Sequence, residues 1–569
     1  MKRIIFFSLL IGLILPSISA AADFNGFFVL DQITNTVEIY DGQEKLKSFK
    51  STPKSARVIE NPDNSGYIIM YRGAKKKSGE LAFLDQAFKT LTRKELPGLV
   101  VQDFYLKETG LWLLFTVNSD KENLISTLTC YDLKTKVTNN IALNGPPVVY
   151  HFNEEQTELA VGTLGNFEAK IPAQLVLIDL TQKQARNFPV SANPGAIYRT
   201  ASGKIVVACG GFRNSQKYPS QILLERTPAA EFAKLHWIDP ATGVTEHLQL
   251  EYSPLLISQD QKDLDTFYAV CANVYEDLNE KQRGIVIGSP NEPVSNKPKA
   301  TFYKITAGKI TAELKLQNQP NHLIQASTSR ICLQEEKNLL IIDVSGPTLQ
   351  LYEYNRDRSI DQFLINNEGT IGYLANENSN FLNIVDLKTG KEIKTIKIGN
   401  YFFIGKMVLE FFGSGLPPVT QSPSPETLAT NSSAENRRMF FAKDFSRLYV
   451  LAGGPELSVV DLQTNEVKSV IRFKDTQYGI HPTPNGEYIV VTAKNGWHLI
   501  DPEASKPIFS YNFKLEENEE GPDKGYYSPN GDLLVIPFNN YLYLINPVQG
   551  SFLGKFRTKA IAPQIVWPE

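Results

Sequence analysis

Residues 484–501 read PNGEYIVVTAKNGWHLID. Pro484, Asn485 and Gly486 are a turn signal. The β-branched run that follows (Ile489, Val490, Val491, Thr492) reads as a strand, and so does the apolar run closing on Asp501. A hairpin alone cannot bury both of its faces, so this stretch predicts neighbours of the same kind.

Those neighbours are found by following the short apolar strand that ends on a polar residue. Its copies end at Asp41, Asp85, Asp132, Asp179, Asp239, Lys304, Asp343, Asp386, Asp461, Asp501 and Asn546, eleven in all. The two residues before the polar one are apolar or Cys, so adjacent positions, which point to opposite faces, are both buried. Such a strand lies inside a stack of sheets. A polar turn such as DLKTGK (386–391) leads from it to a further strand, EIKTIKI (392–398). Another apolar strand, a second turn and a fourth strand complete the unit. Seven of the ten intervals between copies are 39 to 47 residues. Four antiparallel strands at that period are the blades of an all-β propeller. A second marker keeps the phase: Gly66, Gly110, Gly203, Gly369, Gly486 and Gly531 follow the preceding copy by 24 to 30 residues.

The ends of the chain fit the same frame. DFNGFFVLD (23–31) resembles a second strand with no first strand before it, and APQIVWPE (562–569) is a first strand with no second after it. The final strand is expected to pair with the N-terminal blade and close a ring, leaving no free edges. Eleven blades exceed the usual four to eight. The expectation is therefore one or two rings, with the terminal ring split if there are two, or with some units as decorations. The Pro/Ser-rich stretch 413–438 reads as a flexible loop or linker within the propeller region 23–569.

Residues 484–501 and PNGDLLVIPFNNYLYLIN (529–546) resemble the repeats of YVTN-type propellers within the WD40-like superfamily. The Tyr-Val-Thr-Asn string is absent, as are the Gly-His and Trp-Asp dipeptides of WD40 blades. The resemblance implies a fold whose members range from binding proteins to hydrolases, lactonases and quinone-dependent dehydrogenases.

Lys2 and Arg3 precede a twelve-residue apolar run, residues 4–15, and a small-residue stretch, 17–22. That is the pattern of a secretory signal peptide, 1–22, too short for a transmembrane anchor. The expectation is an exported protein, periplasmic or extracellular. Without Lys2 and Arg3 the charge is 56 minus 61, or −5, which argues against nucleic acid as a partner. Cys130, Cys209, Cys271 and Cys332 each sit inside an apolar strand and are expected to be buried free thiols rather than disulfides. No CxxC, HExxH, phosphate loop or G-x-S-x-G is present, and no catalytic residue, metal or cofactor is expected. His236 and His498 share one repeat position and read as strand residues. Asp260, Asp263 and Asp265 lack the glycine and glutamate of a calcium loop and read as a solvated turn.

The long insertions fall between second and third strands (before Asp239 and before Lys304) or between blades (after Asp386, and at 514–525), all on one side of a four-stranded blade. Repeat proteins place binding loops on one face. The candidate contact residues are Arg72, Lys75, Lys76 and Lys77 in one such loop, Phe212, Arg213 and Tyr218 in the 211–234 insert, and Tyr275 in the 272–299 insert. Phe403 and Phe411 join them from the apolar segment 401–415. The leading expectation is a scaffold that binds a protein, a small molecule or a glycan there. The alternative is an enzyme with its site at the channel mouth.

Overall fold

The computed structural model describes residues 26–568 except 32–35, 42–43, 51–54, 62, 64, 74–77, 121–122, 166–171, 211–212, 216–222, 226–232, 273–299, 357–358, 376–379, 399–438, 443, 452–455, 474–476, 484–487, 494–495, 502–505, 513–524, 539, 550 and 561–562. Among the described residues there is no α-helix, and the strands, apart from one two-stranded hairpin, assemble into eleven four-stranded antiparallel sheets, here blades 1 to 11 in chain order. All eleven polar-ended copies are third strands, from Thr36–Asp41 in blade 1 to Tyr541–Asn546 in blade 11. Two ends differ by a residue or two: Asp239 lies just beyond Ala233–Ile238, and Ala300–Thr306 runs past Lys304.

The third strand ends where it does because the aspartate turns the chain. Asp179 Oδ1 accepts the backbone N–H of Thr181 and of Gln182, both at 2.8 Å, and Asp132 and Asp461 repeat the pattern. This is an Asx turn. The residue four after the Asp then takes a left-handed conformation: Lys136, Lys183 and Asn465 have φ of 61°, 57° and 54°, and glycine serves at Gly243 and Gly390. Four residues thus join the third strand to the fourth, as between Asp179 and its partner Gln184, a common length for a hairpin connection. Among the mid-blade glycines, Gly369 shows why no other residue fits. Its φ is 67°, and a Cβ there would lie 1.8 Å from the Ala326 carbonyl oxygen of blade 7.

Side chains from the two faces of each sheet fill the seams between blades. Among the described residues eleven apolar clusters occur, each joining two blades consecutive in the chain, and the last joins blade 11 to blade 1. The alternation is plain at Phe27 and Phe28, both fully buried, one packed against blade 11 and the other against blade 2. Eleven blades with eleven successive seams make one ring, which resolves the choice between one and two. First strands approach those of neighbouring blades and lie innermost, and fourth strands face outward.

Ring closure follows the expected pairing. Pro563–Val566 pairs antiparallel with Phe27–Asp31, Phe28 opposite Val566 and Asp31 opposite Pro563. A buried carboxylate locks it: Glu38, fully enclosed, accepts hydrogen bonds from Tyr40 at 2.9 Å, Thr558 at 2.7 Å, the Lys559 backbone N–H at 3.3 Å, and Lys45. An enclosed carboxylate is tolerable only with its lone pairs satisfied. The four cysteines are free and buried. Burial pushes the Cys130 thiol up to about 11 and Cys332 to about 12, so neither is a thiolate near neutrality.

Candidate functional site

Strand direction gives each connection a side. The connections joining Ile205–Gly210 to Ala233–Ile238 in blade 5, Thr266–Ala272 to Ala300–Thr306 in blade 6, blade 8 to blade 9 (Lys391–Lys397 to Met439–Phe441), and blade 10 to blade 11 (Lys506–Asn512 to Tyr526–Tyr527) all leave strand ends on one face of the ring. The opposite face carries the short turns and the Asp-capped hairpins. Its rim is stapled by ion pairs, Arg330 to Asp343 at 2.6 Å and Arg199 to Glu158 between blades 5 and 4. The long-connection face is thus the one built for variation.

Of the candidate contact residues, Arg72 is the one whose side chain is described. It directly follows Gly66–Tyr71, the second strand of blade 2, at the start of a long-face loop. Arg213 lies in a small hairpin within the blade 5 connection, where Arg213 pairs with Glu225 and Ser215 with Leu223. Lys75, Lys76, Lys77, Phe212, Tyr218, Tyr275, Phe403 and Phe411 lie outside the described residues.

Around Arg72 the structure assembles a group that sequence reading missed. Asp103, within the inner strand Leu99–Leu106 of blade 3, is 6% exposed. Its Oδ2 accepts Trp112 Nε1 at 3.2 Å and pairs with Arg57 Nε at 3.2 Å, and its Oδ1 lies 3.8 Å from Arg72 Nη2. Arg57 comes from Ser55–Glu60, the inner strand of blade 2. The group therefore bridges two blades beside the channel, on the long-connection side. The available signal was a charge inside the apolar run LVVQDFYL.

The remaining polar features are structural. His236 Nε2 accepts the Ser191 backbone N–H at 3.1 Å, and His498 Nδ1 lies 2.8 Å from Ser510 Oγ, so both serve their own blades. The expected solvated turn at Asp260 needs correcting: Asp260 is buried and accepts Tyr268 Oη at 2.8 Å and Gln325 Nε2 at 3.0 Å, because the turn packs against blade 7. Among the described residues no group of three or more His, Cys, Asp or Glu is placed to hold a metal ion, and no helix is long and apolar enough to cross a membrane.

No family model and no curated protein matches the chain. Among solved structures it is similar to the dihydro-heme d1 dehydrogenase NirN in complex with DHE, at 10% identity and a TM-score of 0.31, over 87% of this chain and 82% of that one. A score that low leaves the propeller to stand on its own strand topology.

Proposed function

We propose that the protein is an exported propeller scaffold of the YVTN-like kind that binds a ligand, a protein foremost, through its long-connection face. The supporting observation is that the blade 5, blade 6, blade 8-to-9 and blade 10-to-11 connections all leave one face of a single ring. A rigid ring positions such loops without needing them for its own core. The Pro/Ser-rich stretch 413–438 lies outside the described residues, and in this reading the leader 1–22 supplies export.

The test removes loops and spares strands. The insert boundaries 211–234 and 272–299 cut into blades, since Ala233 pairs with Gly210 and Ala272 with Ala300. Residues 212–231 or 274–298 are therefore replaced by a short Gly/Asn turn. Each variant is compared with the full chain for melting temperature and for proteins co-purified from the envelope and medium of its own cells. Melting within a few degrees of the parent with loss of co-purified protein is the expected result. The same proteins retained by both deletions would overturn the reading.

A further inference from the structure

Where blades 2 and 3 meet, one carboxylate faces two guanidiniums. Asp103 is already satisfied by Trp112 Nε1 and Arg57 Nε, each at 3.2 Å. Arg72, at 3.8 Å, is the looser of the two guanidiniums and is not needed to neutralise the buried aspartate.

Arg72 is also held in place. Its carbonyl accepts the Val100 N–H at 2.9 Å, tying its backbone to blade 3. Gly73, at φ 85°, turns the chain away immediately after it. Asp103 Oδ1 tethers the guanidinium, while Nε is enclosed without a partner among the described residues. Even so, 43% of the side chain is open to solvent. A planar guanidinium fixed this way suits a two-pronged oxyanion and loses little rotamer freedom on binding one.

We propose that Arg72, with Arg57 beside it, forms an oxyanion-binding site that receives a carboxylate or phosphate group of a ligand, with Asp103 as the positioning residue. The site rests on the proposed function only for the face from which the ligand arrives. Its chemistry stands on the blade 2–blade 3 geometry alone.

Calorimetric titration of the full chain at low ionic strength with inorganic pyrophosphate, and separately with hexaglutamate, tests it. Saturable binding of at least one probe is expected. It should weaken tenfold or more in Arg72→Gln and several-fold in Arg72→Lys, which keeps the charge and loses the fork. Arg93→Gln, an equal change of charge at a residue paired with Glu80 on the outer side of blade 2, should shift affinity less than twofold. Pyrophosphate alone assigns phosphate, hexaglutamate alone assigns carboxylate, and both together assign the shared oxyanion chemistry. No saturation by either probe at millimolar concentration overturns the proposal, as does unchanged affinity in a folded Arg72→Gln. Should Arg72→Gln fail to fold, Arg72→Lys decides: unchanged affinity overturns the site and a several-fold loss supports it. These titrations involve no partner protein, so their failure and that of the loop deletions are read separately.

Discussion

At the scale of single residues, one repeat position does the same work with different chemistry. Glu38, three before Asp41, and His236, three before Asp239, each accept a backbone N–H from the segment entering their own blade, Lys559 to Glu38 Oε1 at 3.3 Å and Ser191 to His236 Nε2 at 3.1 Å. Acceptance through Nε2 makes His236 neutral. Burial first, then the nearby His247 and Lys234, push it down to about 4, and burial with Arg199 pushes His151 to about 4. Both stay neutral in the fold but charge in the unfolded chain below about pH 6.5. Their contribution is therefore complete above pH 6.5 and declines as pH falls towards 4. Glu38 acts lower on the scale. Burial raises it, but hydrogen bonds from Lys45, Thr558 and Tyr40 outweigh that and hold it below the ordinary carboxylate range, so its contribution is lost only under stronger acid. The expected outcome is a melting temperature that drops between pH 6.5 and 4, with a shallower drop in His236→Gln, which keeps an acceptor. Identical slopes for parent and variant would refute the assignment. This scale was the least legible in sequence. Arg72 was noticed only for the lysines after it, whereas Arg57 and Asp103 lie on different blades, 46 positions apart, and share no motif.

Elements were legible because their signals are local. The terminal Asp and the mid-blade Gly mark turns by backbone chemistry within a few residues, and the structure keeps all eleven third strands where those marks put them. The expectation of no free edges fails at the fourth strands, because closing the ring pairs the innermost strands and leaves the outer end of each sheet where it stops. The fourth strands carry apolar residues open to solvent, Leu91 at 63% and Ile393 at 49%, along edges with unpaired backbone groups. Two features protect them. Seven blades have a register shift between third and fourth strands, which twists the edge. Lysines flank the apolar residues, as in KEIKTIK, Lys391–Lys397. Charged edges oppose strand-to-strand association. Replacing Lys391 with Val and Lys397 with Thr should leave the melting temperature within a few degrees and produce concentration-dependent oligomers by light scattering. A variant that stays monomeric at high concentration would show that the bulges suffice.

For the whole molecule, the number of blades could be counted in the sequence, but not their arrangement. Every copy presents a similar apolar seam, so nothing local says whether the chain closes after five blades, six or eleven; only the pairing of two distant segments does. That pairing concentrates the stability of the ring at one seam. Deleting residues 561–569 removes Ile565 from the blade 1–blade 11 core and strips the partner from Phe27–Asp31. The shortened chain should melt several degrees lower and self-associate, and a peptide of residues 561–569 added in trans should reduce the association. Unchanged melting and a monomeric shortened chain would mean that closure contributes little. The same seam also sets a clock. Leu30 pairs with Gln564, 534 positions later (564 minus 30), and at roughly 5–20 residues per second of synthesis the interval is about half a minute to two minutes. For that time every nascent copy carries an unpaired, apolar strand near its beginning. A cell that makes this protein must shield the first half-blade until its last strand arrives, and the exposure of each molecule to mispairing scales with the speed of the ribosome.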